Sequence, residues 1–93
     1  VLAQTHKDIQ LIVADDGSTD GSLQLAHQLA QRDPRVTVLA LPHRGVAPTL
    51  KHAHQHALAP LIGWVDSDDL LIDSAVEQTK ALLDAHPSVG LVY

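Results

Sequence analysis

Two groups of acidic residues each follow an apolar stretch of the chain. Asp15 and Asp16 come directly after the letters IVA, and Asp66, Asp68 and Asp69 follow or lie just beyond LIGWV. Carboxylate oxygens suit Mg²⁺ or Mn²⁺, which also take phosphate oxygens as ligands. A metal-bound diphosphate is therefore a chemically sensible occupant of a site that joins both groups. The alternative is that each group is only a polar turn at the end of a strand.

Alternating strands and helices are predicted to position these acids. Aliphatic runs predict strands at residues 9–14, 36–41, 61–65 and 89–93, and helical spacing of apolar residues predicts helices at residues 22–32, 46–58 and 74–85. Strands that alternate with helices imply a parallel sheet, so the expected fold class is α/β, Rossmann-like and mostly parallel. In such sheets ligands bind at the carboxyl ends of the strands, where both acidic groups lie.

Two details of the helices are also predicted. The third helix should begin with a capping box, in which Ser74 and Glu77 satisfy the first free amides. The second helix should bury a narrow apolar stripe formed by Val46, Leu50, Ala53 and Ala57.

Composition excludes several classes of protein. The chain has 93 residues, 45% of them hydrophobic, which is enough for one small core and argues against disorder. Its net charge is −5 with no run of Lys or Arg, so no nucleic-acid partner is expected. Cysteine is absent, which excludes disulfides and thiolate metal sites. The longest apolar stretch, residues 57–65, is too short to span a bilayer, and no signal peptide is visible.

Three stretches of this sequence together resemble a known family. They are QTHKDIQLIVADDGSTDGSL, RGVAPTLKHA and LIGWVDSDDLL. They are similar to the nucleotide-binding half of the family 2 inverting glycosyltransferases, which have the GT-A fold. The resemblance covers essentially all of residues 1–93. It implies the donor-binding part of a glycosyltransferase domain, cut at both ends and lacking the first strand and the acceptor-binding half.

The resemblance also implies roles for the five acids. Asp16 matches the residue that hydrogen-bonds the nucleobase, and Asp15 beside it is expected to orient the loop. Asp66 and Asp68 match the D-x-D motif, in which one acid contacts the ribose and the other binds Mn²⁺ or Mg²⁺. Asp69 is a further candidate for the metal, so the implied metal ligands are Asp66 with Asp68 or Asp69. No catalytic residue is expected within residues 1–93, because the general base of relatives lies in the acceptor half, so this part alone should be inactive.

Residues around the second helix are candidates for further donor contacts. Gly45 and Val46 resemble the loop that opens the helix beneath the donor, and Arg44 and Lys51 are candidate contacts to the donor. His43, beside Arg44 in the loop after the second strand, is a further candidate for approach to the donor. Many relatives carry Asn at the position of Lys51, a departure that leaves the donor open between UDP, GDP and dTDP sugars.

Histidines are frequent on the second helix. His52 and His56 have the spacing of a zinc chelate, but without a third convergent ligand they are predicted to be solvated helix surface.

The expected partners are a nucleotide sugar and an acceptor that is a sugar, glycan or lipid. A UDP-sugar is the favoured candidate for the nucleotide sugar. The expected location is the cytoplasm, and membrane association through regions outside residues 1–93 is left open as an alternative. Self-association is expected if a central strand is missing. Two alternatives remain: a Mg²⁺-binding receiver domain of a signalling protein, and a fragment that binds or packs without catalysis.

Overall fold

The computed structural model describes residues 1–93, the whole chain. In chain order its elements are β1 (Leu11–Asp15), α1 (Ser22–Arg32), β2 (Val36–Ala40), α2 (Val46–His54) and α3 (Ala75–Ala85). β1 and β2 form a parallel sheet of two strands. The predicted α/β class with a parallel sheet and alternating helices is therefore confirmed. None of the helices is both long and apolar enough to cross a membrane.

The chain divides into two units, of which the first is Gln10–Ile62. In this unit the two strands run in register from Leu11 beside Val36 to Asp15 beside Ala40. Helix α1 packs against both strands and α2 packs against β1. The small buried core includes Ala26 of α1 and Val36 of β2. The unit thus brings the end of β1 and the start of α2 together.

Local signals explain the bounds of α1, which agree with the prediction. Asp20 precedes the helix, and its Oδ1 accepts hydrogen bonds from the backbone N–H of Ser22 (3.0 Å) and from its hydroxyl (2.7 Å). These bonds satisfy one free amide at the helix start and lower the pKa of Asp20, with the bond from the Ser22 hydroxyl as the largest cause. The helix ends before Asp33-Pro34, since proline cannot continue the hydrogen-bond ladder.

Helix α2 is shorter than predicted and buries a different face. It ends at His54 instead of residue 58, because the Leu58 N–H donates to the Gln10 side chain (3.1 Å) and leaves the helical ladder. The predicted apolar stripe is wrong, since Val46 and Leu50 are exposed. Thr49 is the buried residue of this helix.

The second unit comprises Val1–Ile9 and Gly63–Tyr93 and contains α3. Helix α3 starts where predicted, but the capping box is wrong, because Ser74 makes no capping bond. Instead Gln4, only 2% exposed, accepts a hydrogen bond from the Val76 N–H (2.9 Å) and donates one to the Ile72 carbonyl (2.6 Å). Glu77 accepts a hydrogen bond from the Thr5 hydroxyl (2.7 Å). A side chain from far along the sequence therefore caps this helix.

Two predicted strands are absent. Residues 61–65 and 89–93 are not in regular secondary structure, and all residues of the first of these segments are exposed. An apolar run becomes a strand only when a neighbouring backbone pairs with it, and the sheet of the structure pairs β1 with β2 alone. The strand predictions at these two places are wrong for that reason.

Candidate functional site

The loop that follows β1 is shaped by Asp15. The side chain of this residue is buried, and its Oδ2 accepts hydrogen bonds from the backbone N–H groups of Gly17 (3.2 Å) and Ser18 (3.0 Å). Its carbonyl accepts a bond from the Leu41 N–H (2.9 Å), which extends the pairing with β2. Gly17 has φ 80°, a left-handed conformation that other residues rarely adopt. The loop therefore turns sharply directly after the strand.

The carboxylate of Asp16 lies at the N-terminus of α2. Its Oδ1 accepts hydrogen bonds from the backbone N–H of Arg44 (2.8 Å) and the hydroxyl of Thr49 (2.8 Å). Its Oδ2 accepts a bond from the Gly45 N–H (2.9 Å) and lies 2.9 Å from Nδ1 of His43. The free amides and the dipole of a helix N-terminus both favour a negative charge at this place. Asp16 thus ties the end of β1 to the start of α2.

These donors keep Asp16 ionised. They lower its pKa to about 2, and the largest causes are the Arg44 N–H and the Thr49 hydroxyl, with smaller contributions from Gly45 and His43. The Asp33 carboxylate of the same unit has a pKa of about 2, because the Arg35 side chain and backbone N–H donate to it.

These two carboxylates predict acid sensitivity. Their pKa values in the folded chain, about 2, lie below the ordinary 3.8, so they stabilise the fold above about pH 4. That contribution should be lost as the pH falls from about 4 to about 2. Thermal unfolding followed by circular dichroism at several pH values checks this.

In Asp16→Asn the fall of the unfolding midpoint over that pH range should be smaller than in the wild type. Asp8→Asn, at an exposed position, serves as the control and should follow the wild type. An Asp16→Asn profile that overlays the wild-type profile would contradict the prediction.

A shallow groove lies between the segment after β2 and α2. Its volume is about 240 Å³, and its lining residues are Leu41, Pro42, Arg44, Pro48, Thr49 and His52. Arg44, one of the predicted donor contacts, is therefore placed at the groove. Lys51, the other, is exposed on α2 and does not line it.

The second acidic group lies in the other unit. Asp66, Asp68 and Asp69 are exposed, and the Asp69 N–H donates to the Asp66 carbonyl (3.1 Å) in a turn. Asp15 and Asp16 belong to the unit Gln10–Ile62, so the convergence of all five carboxylates stays a prediction. The structure holds no group of three or more histidine or acidic side chains arranged to bind a metal ion. The assignment of metal ligands to individual residues also stays a prediction.

Thr49 is the residue of this site that the sequence did not reveal. Threonine inside a helix has no obvious role, and its contact with Asp16 joins positions 33 residues apart. One signal was present: Thr49 follows Gly45 by four residues, at the place where a helix has just begun.

Comparison with known proteins defines the class of this chain. An acidic loop follows a strand of the parallel sheet. The sequence matches the family described as Glycosyl transferase family 2 over residues 1–93. The chain belongs to that family, as the three sequence stretches predicted. The receiver-domain alternative is thereby rejected.

Relatives are found among bacterial proteins that are named as glycosyltransferases or synthases. The chain is 38% identical over 76 residues to a chondroitin synthase of Pasteurella multocida, covering 82% of the chain and 8% of that protein. It is 34% identical over 88 residues to the putative glycosyltransferase EpsE of Bacillus subtilis, covering 92% of the chain and 32% of that protein. It is 36% identical over 97 residues to the glycosyltransferase GlyG of Streptococcus pneumoniae, covering 100% of the chain and 32% of that protein. The chain thus spans a third or less of the length of these relatives.

Proposed function

We propose that residues 1–93 are the donor-binding part of a glycosyltransferase. The whole protein would transfer a sugar from a nucleotide-diphosphate sugar to an acceptor hydroxyl, with inversion at the anomeric carbon. UDP is the first candidate for the nucleotide. The observation that carries this proposal is the ionised Asp16 carboxylate, fixed at the end of a parallel strand in a chain of glycosyl transferase family 2. The relatives that are named as glycosyltransferases support the same class of reaction.

The acids of the second unit fit a divalent metal by their chemistry. Asp66, Asp68 and Asp69 offer only oxygen ligands, lie exposed, and form no ion pair in the structure. Such ligands suit Mg²⁺ or Mn²⁺. The metal, when bound, would neutralise charge on the departing diphosphate. Asp66 and either Asp68 or Asp69 would hold it.

The groove next to α2 suits the polar end of a donor. Arg44 supplies a fixed positive charge there, and the proline and leucine side chains offer an apolar wall. We assign Arg44 to donor contact within this proposal. Lys51 lies on α2 but does not line the groove, so it is the weaker of the two candidates for donor contact.

Calorimetric titration of the chain with UDP tests the proposal. UDP should bind weakly in EDTA and more tightly with Mn²⁺, whereas acetyl phosphate with Mg²⁺ should give no heat. The absence of UDP binding under both conditions would contradict it. Uridine, which lacks the diphosphate, should bind with an affinity that does not depend on the metal.

The contacts of Asp16 make a further prediction about His43. A carboxylate offers about four lone-pair sites, and three are taken by the Arg44, Gly45 and Thr49 donors. The Nδ1 of His43 donates to the Asp16 carbonyl oxygen (3.1 Å) and lies 2.9 Å from Oδ2, so the ring stands at the fourth site; its side chain is 81% exposed and can rotate away without disturbing the helix. A nucleobase N–H that binds Asp16 must therefore displace His43. His43→Ala should tighten UDP binding by about threefold or more in the same titration.

The control for this experiment is His27→Ala, at an exposed position of α1, which should bind UDP as the wild type does. Weaker binding by His43→Ala would show that His43 contacts the nucleotide, and the displacement would then be wrong.

A further inference from the structure

Two histidines lie together at the end of α2. The rings of His52 and His56 have their centroids 5.0 Å apart and their planes inclined by 46°. Two imidazoles that share one tetrahedral zinc ion have centroids about 5 Å apart, because each Zn–N bond is about 2.0–2.1 Å long. The distance between the two ring centroids therefore matches that of two histidines bound to one metal ion.

The hydrogen bond of His56 determines which of its nitrogens is free. Its Nδ1 lies 3.0 Å from the carbonyl oxygen of His52. A carbonyl can only accept, so Nδ1 carries the hydrogen, and in the neutral ring Nε2 keeps its lone pair. Histidines that bind metals commonly donate their other ring N–H in this way, which fixes the ring and strengthens the ligand.

The backbone around the pair is also fixed. The His52 carbonyl accepts a second hydrogen bond from the Gln55 N–H (3.1 Å), and the Gln10 side chain donates to the His56 carbonyl (3.2 Å). These bonds hold the turn that carries His56 against the last turn of α2. Little ordering would therefore be needed when an ion binds to both rings.

The surroundings leave the two rings accessible. Both histidines are exposed, and neither forms an ion pair with a carboxylate. No third histidine or acidic side chain completes a protein cage. An ion bound to both rings would keep its remaining coordination positions for water or a small ligand, as zinc does in sites where the protein does not supply all four ligands.

We propose that His52 and His56 form a two-histidine chelate for a divalent transition metal of the Zn²⁺, Ni²⁺ and Cu²⁺ class. This site differs in chemistry from the acidic groups, since imidazole nitrogen suits these ions and carboxylate oxygen suits Mg²⁺ and Mn²⁺. His52 also lines the groove assigned to the donor, but the chelate needs neither the acids nor a nucleotide, so it does not depend on the proposed function.

The experiment is a titration of the chain with Zn²⁺ near neutral pH, followed by calorimetry and by the NMR signals of the histidine rings. One equivalent should bind, and the ring signals of His52 and His56 should shift first. His52→Asn and His56→Asn should each weaken binding by at least about tenfold, because each removes one ligand. Mg²⁺ should leave the ring signals unchanged.

His54→Asn is the matched control, since this histidine lies between the other two in sequence but points to another side of the helix turn. It should bind Zn²⁺ as the wild type does, and circular dichroism should show the same helix content in all three variants. Equal weakening by His54→Asn, or unchanged affinity of His52→Asn, would overturn the proposal. Uniform shifts of all histidine signals would overturn it as well.

Discussion

Replacing Gly17 by alanine should destabilise the chain by about 2 kcal/mol or more, a large fraction of what a small domain possesses. Gly17 has φ 80°, and a side chain in this left-handed region costs about 1–2 kcal/mol. A Cβ at this position would also lie 2.9 Å from the backbone nitrogen of His43. That nitrogen belongs to the loop that Asp16 anchors, so it cannot move aside without loss of those hydrogen bonds. Urea unfolding gives the free energy.

The chain provides a matched control for this substitution. Gly21 has φ 90°, but a Cβ added there would meet nothing within 4 Å. Gly21→Ala therefore carries the conformational cost of about 1–2 kcal/mol without the close contact, so it should destabilise the chain less than Gly17→Ala does. The difference between the two variants measures the approach of the β1 loop to His43. Equal destabilisation by both substitutions would show that this approach costs nothing.

Asp68→Asn should abolish most of the dependence of UDP binding on Mn²⁺. The substitution keeps the size of the side chain but removes the charge that a hard divalent cation requires. UDP affinity with Mn²⁺ should then fall toward the value in EDTA, a loss of about tenfold or more. Affinity in EDTA itself should not change, because Asp68 would contact the nucleotide only through the metal. Calorimetry at fixed ionic strength, with Mn²⁺ or with EDTA, measures both quantities.

Two further variants complete this experiment. Asp69→Asn decides between the two alternative ligands, since the residue that holds the metal should show the larger loss. Asp73→Asn, at another exposed position of the same unit, should leave the Mn²⁺ dependence intact. If UDP binding kept its full dependence on Mn²⁺ in both Asp68→Asn and Asp69→Asn, the assignment of the metal to this acidic group would be wrong.

Features with a local cause could be predicted from the sequence. Helix α1 has the predicted bounds because Asp20 at its start and Asp33-Pro34 at its end act within a few residues of the helix. The fold class also follows from the sequence, since aliphatic runs alternate with helical patterns, and the family follows from the resemblance of three sequence stretches to its members. The location of Asp15 and Asp16 at the carboxyl end of β1 belongs to the same group of results.

Contacts between distant positions were decided only by the tertiary structure. Gln4 caps α3 across more than 70 residues of sequence, and Thr49 donates to Asp16 across 33 residues. Residues 61–65 have the composition of a strand, yet they form none, because a strand also needs a neighbouring backbone that pairs with it. Local patterns therefore determined which segments can become helices and where the acids stand. The partners of each polar group depend on which distant segments meet, and that is a property of the folded chain.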